Sequence, residues 1–76
     1  MNSETALFWD GSYEIAKHLI AVHPDVDLKS VTLQQILEWA TALPEFADDP
    51  ALVNDDLLTA IYQEWFEEIN PLEKLR

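Results

Sequence analysis

The side chains of this sequence that can do chemistry are overwhelmingly carboxylates: fifteen Asp and Glu stand against four Lys and Arg, with two His and no Cys. Hydroxyls are present at Thr5, Ser12, Ser30, Thr32, Thr41 and Thr59, but a nucleophile also needs a base within reach. The two imidazoles, His18 and His23, are five positions apart on one predicted helix, so they point to different faces and no triad spacing survives. Carboxylates are so numerous that some will be neighbours by chance, and a pair without a pocket says nothing about acid–base catalysis. The single glycine excludes a phosphate-cradling loop. The lack of cysteine excludes disulfides, thiolate metal sites, thiol catalysis and cysteine ligation of a metal cluster. A protein that is not an enzyme is expected.

Oxygen donors suit hard cations. Asp25 with Asp27, and the set Asp48, Asp49, Asp55 and Asp56, are oxygen-rich, while Glu14 and His18 at i,i+4 offer a mixed oxygen and nitrogen pair that ferrous iron accepts. None has the spacing of an EF-hand loop. Each set also has a structural reading: Asp49 as a cap, Asp55 and Asp56 as charges at a helix start, the rest as solvated surface. Lys17, three positions after Glu14, weakens the first of these sites. Iron bound in such places is held weakly, by surface carboxylates that keep their waters.

The balance of 4 − 15 gives a net charge of −11 with His neutral. Such a field repels phosphate and attracts basic surfaces over about a Debye length, ~8 Å at physiological salt. DNA and RNA binding are disfavoured by sign. Glu64, Glu67 and Glu68, at i, i+3, i+4, read either as a polar helix face or as a docking strip for a basic partner.

These groups must be carried by one small domain spanning residues 1–76, near the size at which a single core only just offsets chain entropy. With 49% hydrophobic residues and three Trp, it is too apolar for a disordered acidic tail. The opening Met1-Asn2-Ser3-Glu4-Thr5 has neither a basic stretch nor a following apolar one, and no apolar run approaches ~20 residues. The expected location is the cytoplasm, with no membrane contact.

Residues 1–6 lack any period and read as a frayed lead-in to Leu7-Phe8-Trp9. A first helix is predicted after Asp10 as its cap, with Ile15, Ala16, Leu19, Ile20 and His23 on one face, stopped by Pro24. Trp9, Trp39 and Trp65 lie on or beside apolar stripes and read as core. His23 reads as an edge-of-core side chain. Asp27 is placed to cap a short turn through Leu28-Lys29-Ser30, and Val31 to form an extended link. Thr32-Leu33-Gln34-Gln35 has the form of a capping box, the best local start signal in the chain. It opens a second helix whose face is Leu33, Ile36, Leu37, Ala40 and Leu43, with Trp39 at the margin.

The connector Leu43-Pro44-Glu45-Phe46-Ala47-Asp48-Asp49-Pro50 organises what surrounds it, because neither proline can sit in a helix interior. Phe46 is read as an apolar pin with the flanking acids turned outward. Asp49-Pro50 then caps one turn through Ala51-Leu52-Val53. Asn54 caps a third helix with the stripe Leu57, Leu58, Ile61, Tyr62, Trp65 and Ile69, ending at Asn70-Pro71. Residues 70–76 form a tail without enough period to assign. The fold class expected is all-α, a compact three-helix domain of the helix-turn-helix kind, with a short extended pairing of residues 7–9 and Val31 as an option.

Trp9 followed by Tyr13-Glu14-Ile15, then His23-Pro24-Asp25-Val26-Asp27, Trp39, the connector around Phe46, Asn54, and Trp65 with Glu67-Glu68 together resemble the IscX (YfhJ) family over residues 7–69. These are small acidic proteins of bacterial iron–sulfur cluster assembly. The resemblance implies a winged-helix-like three-helix body that binds the pathway's cysteine desulfurase through acidic surface, shares that docking surface with frataxin, and binds ferrous iron weakly. It holds no cofactor tightly and is expected to be a monomer.

The acids taken as partner-binding are Asp10, Glu14, Asp25 and Asp27, grouped at one end, with Glu45, Asp48 and Asp49 of the connector. Glu14, Asp25 and Asp27 are the candidate iron ligands. The alternatives are a carrier delivering ferrous iron to the assembly scaffold, and a generic acidic module that mimics nucleic acid toward some other basic protein.

Overall fold

Three helices form where apolar period runs unbroken, two of them starting from a side-chain cap. In the computed structural model, which describes residues 6–70, α1 spans Ser12–Val22, α2 spans Leu33–Ala42 and α3 spans Asp55–Ile69, with 3-10 turns at Leu28–Ser30 and Pro50–Leu52. The lead-in before Ala6 and the tail after Asn70 lie outside the described residues. Four of the five cap readings hold in atomic detail. Thr32 Oγ1 accepts from the Gln35 N–H while the Gln35 side chain accepts from the Thr32 N–H, closing the capping box of α2. Asn54 Oδ1 accepts from the Leu57 N–H to start α3, and Asp49 Oδ1 accepts from the Ala51 N–H ahead of Pro50. Asp27 likewise accepts from the Lys29 N–H.

The first helix departs from expectation at its start. Its N-cap is Gly11, with no side-chain cap, and Asp10 stays exposed in the preceding turn. The cause is a tight turn in which the Gly11 N–H donates to the Phe8 carbonyl at 2.8 Å. That turn carries the Asp10 side chain out of the cap position.

The core is contributed by all three helices and by the segment before α1. Ile15, Ala16 and Leu19 of α1, Ile36 and Ala40 of α2, and Leu58, Ile61 and Trp65 of α3 are buried, together with Leu7, Trp9, Leu28 and Leu43. α1 packs most extensively on α3, α2 less so, and α1 touches α2 least. Trp39 bridges the margin, stacked on His23 at 4.1 Å between ring centroids and tilted against Trp65 at 6.2 Å. Ile69, placed by periodicity on the buried stripe of α3, is instead 45% exposed, because the helix runs past the core by its last turn.

Among the described residues extended pairing is limited to one isolated parallel bridge, Leu7 with Phe46. The partner of residues 7–9 is therefore the connector, not Val31. Leu7 N–H donates to the Glu45 carbonyl and the Ala47 N–H returns a bond to the Leu7 carbonyl, each at 2.9 Å. The all-α class stands.

Candidate functional site

Trp9 is the fixed point. Its ring is buried edge-on against Phe46, 4.8 Å between centroids, and its indole N–H donates to the Asp49 carbonyl at 2.8 Å. Its backbone N–H donates to Asp48 Oδ2 at 2.9 Å, and Asp48 Oδ1 accepts from the Asp49 N–H at 2.7 Å. The connector acids thus do not all face outward: Asp48 is half-buried and turned in, while Glu45 and Asp49 are exposed. Half-buried Phe46 is the pin expected, clamped between Trp9 and the bridge to Leu7.

This packing gathers Asp10, Glu45, Asp48 and Asp49 around the entry to α1, and Glu14 lies in that helix's first turn. Asp25 and Asp27 are elsewhere. They follow the close of α1, and eleven helical residues at ~1.5 Å each separate the two places by roughly 16 Å. That is about two Debye lengths at physiological salt, so the two sets act as separate patches. The single-end grouping of Asp10, Glu14, Asp25 and Asp27 is corrected accordingly: closeness in sequence across a helix is not closeness in space.

Two open grooves mark the two ends. One, of about 480 Å³, is lined by Phe8, Trp9, Asp10, Asp48, Leu52 and Leu57. The other, of about 280 Å³, lies among Val26, Asp27, Leu28, Lys29, Tyr62, Phe66, Ile69 and Asn70, with the Tyr62 hydroxyl donating to the Leu28 carbonyl at 3.3 Å. The linings show that α1 and α3 share a direction. Residues before α1 meet the first turn of α3, and residues after α1 meet its last.

No group of three or more His, Asp or Glu that could hold a metal ion occurs among the described residues. Glu14, Asp25 and Asp27 are not brought together, and His18 Nδ1 lies 2.9 Å from the Glu14 carbonyl rather than turned toward its carboxylate. The donor set does not fit a preformed iron centre. Lys17 sits 5.5 Å from the Tyr13 ring centroid, over its aromatic face. Glu64, Glu67 and Glu68 are half-buried along α3. No helix among the described residues is long and apolar enough to cross a membrane.

Phe8 and Leu52 were not singled out by sequence, yet they are among the most exposed large apolar side chains, at 46% and 62%. A signal for Phe8 existed. Flanked by buried Leu7 and Trp9 in an extended stretch, it must point to the opposite side.

Residues 7–70 match the protein family described as iron-sulphur cluster assembly. An uncharacterized protein of Pseudomonas aeruginosa is 38% identical over 63 residues, a span covering 83% of this chain and 96% of that protein.

Proposed function

Because the chain belongs to the iron-sulphur cluster assembly family, the family of IscX, we propose that it serves that pathway as an acidic adaptor on the cysteine desulfurase. Membership implies a role in iron–sulphur cluster assembly. The adaptor reading adds the means: recognition by field and shape, in the cytoplasm, with no bond made or broken by the protein itself.

The observation that carries this reading is the collection of Asp10, Glu14, Glu45, Asp48 and Asp49 about one end of a body whose net charge is −11. Trp9, Asp48 and the bridge to the connector hold that end in one shape, so docking on an Arg/Lys-rich face need order little chain. Asp25 and Asp27 form a second, smaller patch beside Lys29. Frataxin, docking on the same basic surface, would compete.

Charge-led encounter makes association fall steeply with ionic strength while dissociation changes less. Surface plasmon resonance on the immobilised desulfurase between low and high salt tests this. The reading expects the loss in the association rate, and a salt-independent rate would contradict it.

Ferrous iron enters this reading only as a loosely held cation on water-keeping surface carboxylates, since no preformed set of ligands stands among the described residues. Iron titration followed by amide NMR should spread small shifts over the exposed acids. A saturable response confined to Asp25 and Asp27, or to Glu14 and His18, would favour an iron carrier instead.

A further inference from the structure

The larger groove is not a plain acidic surface. Phe8 and Leu52, 46% and 62% exposed, stand on its sides beside half-buried Leu57, with Asp10 and Asp48 in the same lining. Exposed Asp49 and Asp56 are the chain neighbours of Asp48 and Leu57. Its walls are fixed: Trp9 is hydrogen-bonded through backbone and indole, and the turn Pro50–Leu52 is capped by Asp49. Apolar side chains left open on rigid backbone beside carboxylates are suited to an apolar anchor next to a cation. The smaller groove has mixed charge, with Lys29 beside Asp27, and makes no such selection.

We propose that the groove of Phe8, Trp9, Asp10, Asp48, Leu52 and Leu57 seats an aromatic or long aliphatic side chain of a protein partner, flanked there by Arg or Lys. Charge complementarity names the occupant. Anionic lipid and nucleic acid are repelled by the same carboxylates that hold the flanking cations. This inference rests on the docking reading above and adds to it a short-range contact: the field brings the basic face in, and the groove selects which basic face stays.

The test uses short fluorescent peptides carrying one Trp between arginines. Two controls replace the Trp by Ser or the arginines by Gln. The Trp–Arg peptide should bind about tenfold or more tightly than its Ser control, the effect of burying one large apolar side chain. That advantage should vanish in the Phe8→Ser/Leu52→Ser double variant, whose exposed positions leave the far-UV helical spectrum unchanged. Amide shifts should centre on Phe8, Asp10, Leu52 and Leu57. Equal binding of the Ser control, equal binding of the Gln control, or shifts centred on Phe66 and Ile69 would each overturn the proposal. So would a concentration-dependent dimer of the protein alone that the double variant abolishes, which would give the groove to a second copy. The two readings fail separately. If reversing Glu14 and Glu45 leaves desulfurase binding unchanged, the docking reading falls. If those charges matter but Phe8→Ser/Leu52→Ser changes neither peptide nor desulfurase binding, only the groove falls.

Discussion

At the entry to α1, an acid, a tryptophan and a connector from far along the chain are locked together, whereas at its close the chain turns over a surface with looser means. The entry uses Asp48 to hold the Trp9 N–H, the Asp49 carbonyl to hold the indole, and a parallel bridge between Leu7 and Phe46. The close uses Asp27 to cap a three-residue turn at 3.2 Å, and Tyr62 to reach the Leu28 carbonyl at 3.3 Å. Both ends are acidic and both present a groove. The difference is that acids at the entry are part of the framework as well as of the surface, so its negative field comes with a fixed shape.

If that contrast is right, substitutions at the entry should cost more than their counterparts at the close. Trp9→Ala should have the largest effect, about 3–5 kcal/mol by urea unfolding, because it empties a buried ring site and removes an indole hydrogen bond. Asp48→Ala should cost about 2 kcal/mol by the same measurement, since it leaves the Trp9 N–H without its charged acceptor. Asp48→Asn keeps an acceptor and should lose less. At the close, Asp27→Ala should cost only about 0.5–1 kcal/mol, as loss of a cap on one short turn. Tyr62→Phe should be smallest, about 0.5 kcal/mol, for a long and partly exposed bond. An Asp27 variant less stable than an Asp48 variant would invert the comparison.

What sequence made legible was local. Thr32 with Gln35, Asp49 with Pro50, Asp27 and Asn54 each declare a helix or turn start within three residues, and the structure uses all of them. The helical faces followed from period. What escaped depended on partners far along the chain: Asp48 turns inward because Trp9, thirty-nine positions away, needs an acceptor. Leu7 pairs with Phe46 rather than Val31 for the same reason. Asp10 misled because the Gly11 N–H is taken by Phe8, which no helix-start pattern encodes. The seven candidate acids were all visible as residue types, but their division into two patches is set by the length of α1 and by which turn meets which end of α3. The exposure of Phe8 and Leu52 is set by the Leu7–Phe46 bridge and the turn Pro50–Leu52, which no charge pattern marks.

The central claim is that the entry end, not the close, carries the docking surface. The direct measurement is the association rate of the desulfurase with Glu14→Lys/Glu45→Lys beside that with Asp25→Lys, both on exposed side chains, at low salt. The account predicts that the entry variant slows association by about tenfold and that the Asp25 variant stays within about twofold of the parent. Equal slowing by both, or a larger loss with Asp25→Lys, would contradict it.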